Sequence, residues 1–149
     1  RDAQESRGLG DVYKRQRTGW NSCILGFRDQ LTESNYALLF TMAVDALVQP
    51  WEQAVMQLVF TELGALRFDK DLRGVLTALS DLASWGIRDK FLRLQQISYV
   101  LNMDEDETDT NDVFEAGIAS GISWQLTPAE VQSVRALRVN TAPQERSLS

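Results

Sequence analysis

The stretch IRDKFLRLQQISYVL, Ile87 to Leu101, decides the fold. Ile87, Phe91, Leu94, Ile97, Ser98 and Leu101 recur three or four residues apart, the spacing that gathers side chains along one face of an α-helix. Immediately upstream, Asp69 can cap a helix whose stripe is Leu72, Val75, Leu76, Leu79, Leu82 and Ala83 and whose end is marked by Gly86. Only Ser84-Trp85-Gly86 separates the two, so they must be antiparallel neighbours or one sharply kinked rod.

The same period extends outward in both directions. From Asn35 to Gly64, Leu38, Leu39, Met42, Ala43, Ala46 and Leu47 form one stripe, and Trp51, Val55, Leu58, Val59 and Leu63 resume it after Pro50. Proline lacks the amide donor and crowds the preceding turn, so a kink or break is expected there, with Gly64 as the stop. Toward the C-terminus, Val113, Phe114, Ile118 and Ile122 suggest a short helix or turn. A last helix then opens on a capping box, with Thr127 at N-cap, Pro128 at N1 and Glu130 at N3. Leu126 and Val131 occupy the positions of a hydrophobic staple around it. Val131, Val134, Ala136 and Leu137 face inward, and the polar tail from Asn140 frays. No strand pattern of useful length occurs. The fold class is all-α, an antiparallel helical bundle, divided at 20–84 and 85–149. Residues 1–19 have no apolar period, and SRGLGDVYKRQ from Ser6 to Gln16 reads as a non-native linker or a flexible arm.

Composition narrows the function. A chain of 149 residues with 44% hydrophobic residues, 9 Gly and 3 Pro can bury a core. It begins with Arg, which reads as a processed or truncated piece. A net charge of −6 argues against nucleic-acid binding, which needs clustered cations, and against purely electrostatic membrane binding. There is no histidine, which removes the commonest general base and metal ligand. Cys23 is alone, so no internal disulfide forms, and a reducing compartment is the simpler setting. No apolar run approaches the roughly 20 residues that span a bilayer. Histidine-dependent triads and zinc sites are excluded, while carboxylate or lysine chemistry stays open; no pair of carboxylates stands out in spacing, so a small carboxylate-based enzyme is the lesser alternative and no enzyme, cofactor or metal is expected.

Three segments, LRFDKDLR (Leu66 to Arg73), SWGIRDKFLRLQQISYVLNM (Ser84 to Met103) and SWQLTPAEVQSVRALRV (Ser123 to Val139), resemble in order and spacing the C-terminus of the conserved oligomeric Golgi complex subunit 4 family. The similarity runs from Asn35 to Val139, and over Asn35 to Gly64 it is one of pattern only. The acidic stretch after Met103 and the tail after Val139 depart from the family. The resemblance implies the end of a rod-like subunit of a vesicle tether on the cytoplasmic face of the Golgi, peripheral and held to membrane indirectly. It implies a role in retrograde intra-Golgi transport, with other subunits of the complex, Golgi SNAREs and their regulators as partners. A related exocyst-like tether is the in-class alternative.

The resemblance also implies that Arg93 and Glu130 form an ion pair anchoring the last helix. From spacing alone, Arg93 could equally be a solvated flank residue and Glu130 could merely close its own cap. Burial of the pair would make loss of one partner cost about 3–5 kcal/mol; exposure would keep it below about 1 kcal/mol. Asp69, Asp71 and Arg73, with Arg88, Asp89 and Lys90, are either helix-end and surface charges or a patch where another subunit docks. Asp104, Asp106, Asp109, Asp112 and Glu115 approach the spacing of a calcium loop. However, Asp109 stands where that loop needs glycine and Asn111 where it needs an apolar anchor, so a solvated acidic linker is the better reading and a calcium-responsive module the lesser one. Trp20, Trp51, Trp85 and Trp124 fit either interface anchors or packing where helices meet.

Overall fold

The computed structural model describes residues 19, 21–83, 86–104, 115, 121 and 123–139. These form a π-helical turn (Asn21–Leu25) and six helices: α1 (Gly26–Arg28), α2 (Glu33–Val55), α3 (Glu62–Ser80), α4 (Ile87–Lys90), α5 (Leu92–Leu101) and α6 (Pro128–Ala136). Among the described residues there is no strand, only an isolated parallel bridge between Phe60 and Arg138. The Val113–Ile122 helix, the calcium-loop comparison at Asp106, Asp109 and Asp112, and Trp20 and Trp85 lie outside the described residues.

Threonine starts α2, α3 and α6. Thr32, Thr61 and Thr127 take extended backbone, and their hydroxyls accept from the amides of Asn35, Gly64 and Glu130. Each satisfies one of the amides that a helix start leaves without an internal partner. Two sequence readings therefore change. Asp69 lies inside α3, because Thr61 caps that helix two turns earlier. Gly64 is not a stop but sits in the first turn of α3, where an added Cβ would meet the Thr61 hydroxyl at 3.3 Å.

Helix α2 runs through Pro50 without a break and ends at Val55. Pro50 and Ala46, whose carbonyl the proline deprives of its donor, are both exposed, so water can take the free acceptor. The buried row of α2 is Tyr36, Phe40, Val44, Val48 and Val55; only Val55 of these belongs to the stripe expected from the sequence. Leu39, Ala43 and Leu47 are half-buried, while Leu38 and Met42 are about 60% exposed. The helix is apolar on nearly every side, so spacing alone could not choose which row faces inward; the two aromatic rings and the β-branched valines fill the core instead. Leu58 and Val59 are exposed as well, since the helix has already ended before them, and Leu63 is exposed in the first turn of α3, off its buried row of Ala65, Phe68, Leu72, Leu76 and Leu79.

One continuous core joins these elements, from Ile24 to Val134. Phe40, Leu72, Phe91, Leu94, Ile97, Leu101, Val131 and Val134 are all essentially inaccessible. Trp51 stands edge-on to both Phe68 and Phe91, with ring centroids 6.2 Å apart in each case, and so joins α2 to α3 and to the α4–α5 corner. That places Trp51 at a meeting of helices. Gly86 turns the chain into α4 at φ +66°, a conformation most residues avoid. The packing predicts a contrast measurable by chemical denaturation. Leu94→Ala should cost about 3–5 kcal/mol through the cavity it leaves, whereas Leu38→Ala should stay within about 0.5 kcal/mol.

Candidate functional site

The polar centre of the molecule is built on the first turns of α5. Arg93 lies there beside the buried stripe, with its guanidinium directed between two other elements. Its Nε and Nη2 donate to Glu52 Oε1 of α2 at 2.9 and 2.7 Å, Nη2 also donates to Glu130 Oε1 of α6 at 2.8 Å, and Nη1 donates to the Gln125 carbonyl at 3.0 Å. One side chain thus ties three segments that are far apart in sequence. The side chains of Arg93, Glu52 and Glu130 are 32%, 22% and 39% exposed, so the cluster is half-shielded rather than buried.

Glu130 has two tasks. One oxygen holds Arg93, while the other accepts from the Thr127 amide at 2.7 Å and closes the capping box. Those donors, Arg93 first and the Thr127 backbone next, pull its carboxyl down to about 2. The two glutamates raise the Arg93 guanidinium above its ordinary value, through hydrogen bonds to Glu52 and then Glu130.

One turn after Arg93, the buried amide of Gln96 reads the same loop. Its Nε2 donates to the Ser123 carbonyl at 3.0 Å, and its Oε1 accepts from the amides of Gln125 and Leu126 at 2.9 and 3.3 Å. At the far end of α6, Arg138 Nη1 donates to the carbonyls of Leu101 and Met103 at 2.8 and 3.1 Å, filling acceptors that the end of α5 leaves open. The bridge completes this second fastening: the Phe60 amide donates to the Leu137 carbonyl, and the Val139 amide to that of Phe60. Helix α6 is therefore held at both ends by polar contacts and in the middle by Val131 and Val134.

Sequence reasoning named Arg93, Glu130, Thr127 and Pro128, and the structure brings these together. It missed Glu52, Gln96 and Arg138. Glu52 lies 41 residues from Arg93, and nothing local marks it. The three-residue spacing from Arg93 was the available signal for Gln96. Of the six charges read as one candidate surface, Asp69, Arg73 and Arg88 line one groove, and Asp71, Asp89 and Lys90 are not part of that lining. Lys90 pairs with Asp45 of α2. Asp69 pairs with Arg73 and accepts from the buried Ser98 hydroxyl. Arg88 and Asp89 are exposed, and Asp71 is half-buried. Among the described residues no group of acidic, histidine or cysteine side chains could hold a metal ion, and no helix is long and apolar enough to cross a membrane.

What these contacts can do chemically is fix shape: they lock a short helix across a bundle and bring no reacting groups together. The class they define is an all-helical module with a latched terminal helix. The chain belongs to the conserved oligomeric Golgi complex subunit 4 family. The profile described as "Conserved oligomeric Golgi complex subunit 4, C-terminal" matches residues 1–133, a span that takes in the first 19 residues. Proteins of that name are similar to this chain in Homo sapiens (38% identity over 115 residues, 76% of this chain and 14% of the relative) and in Arabidopsis thaliana (36% over 115 residues, 76% and 15%). The Saccharomyces cerevisiae protein is 29% identical over 123 residues, 81% of this chain and 14% of the relative. The chain thus spans about a seventh of the length of these relatives.

Two outcomes follow from the cluster. Arg93→Trp should lower stability by about 2 kcal/mol, between the exposed and the buried limits, because two carboxylates lose their shared donor; Glu52→Gln should cost more than Glu130→Gln, and urea denaturation ranks the three. Acid unfolding tests the second. Because the folded carboxyl of Glu130 titrates below its ordinary value of 4.5, its contribution is present above that pH and is lost as pH falls toward about 2. Glu130→Gln should flatten the stability curve across that window and leave its slope near neutrality unchanged.

Proposed function

We propose that this chain is the C-terminal helical module of a subunit of the conserved oligomeric Golgi complex, a non-enzymatic tether acting in retrograde intra-Golgi transport. In this reading it sits peripherally on the cytoplasmic face of the Golgi and contacts other subunits of the complex, with Golgi SNAREs and their regulators as further partners. Its contribution is mechanical. A rigid end-piece presents its surfaces at fixed geometry, and several weak contacts combine through effective concentration.

The observation that carries the reading is the fastening of α6 at both ends, which spends the molecule's best-formed polar contacts on holding shape. The outer face of α2 supports it further. A helix apolar on nearly every side belongs inside a larger bundle, and exposed Leu38 and Met42 fit a helix whose outer neighbours come from elsewhere in the subunit. In this reading residues 20–84 continue a penultimate bundle and residues 85–149 close it, the described parts of both sharing one core.

A chimera tests this. Residues 35–139 of this chain would replace the matching region of the human relative, in cells lacking that relative. The expected outcome is co-purification with the other subunits of the complex and recovery of cell-surface glycosylation, with both reduced by Arg93→Trp. A chimera that is folded and abundant but recovers neither would overturn the proposal.

A further inference from the structure

Helix α6 is fastened at its approach, at its first turn and at its far end, and the fastenings differ in what they hold. Ahead of the helix, Gln96 holds the Ser123 carbonyl and the amides of Gln125 and Leu126. At the far end, Arg138 holds the carbonyls of Leu101 and Met103, and Phe60 pairs with Leu137 and Val139. Both of these grips close on main chain, so neither depends on where a second side chain stands. The fastening between them does. Arg93 reaches the helix itself through the Glu130 carboxylate, and the same carboxylate closes the first turn by accepting from the Thr127 amide at 2.7 Å.

Helices α2 and α3 show what the cap is without that link. Thr32 and Thr61 accept from the amides of Asn35 and Gly64 at 3.3 and 3.1 Å, and neither of those residues has a carboxylate to return the contact. In α6 the hydroxyl contact is no shorter, 3.3 Å from the Glu130 amide; the short bond is the one the Glu130 carboxylate accepts. A free glutamate side chain must be immobilised before it can cap, and that costs rotamer entropy. When Arg93 already holds one oxygen, the cost has been met. Hydrogen bonds to the two oxygens therefore support each other through one immobilised side chain, as members of a network do.

We infer that Arg93 is a positioning residue for the cap of α6, and that the first turn of this helix is a built-in release point: it closes while Arg93 holds Glu130 and unwinds, between two fixed ends, when Arg93 is drawn away. The helix does not lift off as a whole, because Gln96 keeps its approach and Arg138 with Phe60 keeps its far end. Whatever competes for the guanidinium thereby changes the backbone at Thr127 to Glu130, which the guanidinium itself does not touch except through that carboxylate. None of this needs the Golgi assignment.

Amide hydrogen exchange, followed by NMR in the full chain, tests it. In Arg93→Met the amides of Thr127 and Glu130 should exchange about fivefold faster or more, within the range for a network that loses a member. The Leu126 amide on one side, and those of Phe60 and Val139 on the other, should keep their parental rates, as should the capped amides of Asn35 and Gly64. Arg138→Gln should give the opposite pattern, with Phe60 and Val139 faster and Thr127 unchanged. Arg93→Lys keeps the charge but not the planar fork; it should repeat the Arg93→Met pattern to a smaller extent, and it decides the question if the Met variant does not fold. An unchanged Thr127 amide in a folded Arg93 variant would overturn the inference. Faster exchange at Thr127, Leu126 and Phe60 together would do so too, since α6 would then detach as one piece. So would loss of protection at Leu94 and Ile97 in both Arg93 variants, because the first turn would then have no opening of its own.

Discussion

The structure depends on a single guanidinium with two carboxylates to hold. Arg93 is too accessible to be a buried charge and too well bonded to be a surface one. Its hydrogen bonds to Glu52 and Glu130 are charge-assisted, the class that contributes most per contact. The arrangement avoids the usual weakness of a buried ion pair, because partial solvent access reduces the desolvation penalty while two acceptors and a loop carbonyl use most of the donors. Only arginine has a planar fork able to reach α2, α6 and the intervening loop together; a lysine in its place would offer a point charge and lose the geometry.

Around that centre the molecule separates two kinds of work. The apolar core, continuous from Ile24 to Val134, supplies the drive to collapse. The polar fastenings then select one arrangement of a nine-residue helix that is too short to persist alone. Without them, Val131 and Val134 could still cover part of α5, but nothing would fix the direction in which α6 leaves it. Shape, rather than affinity for a small ligand, is what such contacts secure.

The sequence was most informative where apolar and polar residues segregate cleanly. In Ile87 to Leu101 the buried face is the one its spacing predicts, and the Thr127-Pro128-Ala129-Glu130 box has the geometry its residue types demand. In α2 the apolar residues surround the helix, so periodicity identified a helix but not its inward row. The break between α2 and α3 was placed by punctuation, at Pro50 and Gly64, when the capping threonine Thr61 was the informative residue. Thr61-Glu62 and Thr32-Glu33 share a pattern that local reading could have used. Glu52 was beyond any local rule, since only the fold brings it to Arg93.

The fastening of the terminal helix has a consequence for how this region can drift over time. Gln96 and Arg138 grip main-chain oxygens and amides rather than side chains, and so does one arm of Arg93. Ser123 and Gln125, whose side chains are exposed, can therefore change identity widely, since every amino acid offers the same carbonyl. Freedom in the gripped segment is matched by rigidity of choice in the gripping one, so substitutions in this corner should be tolerated very unevenly between two strands of chain that lie side by side.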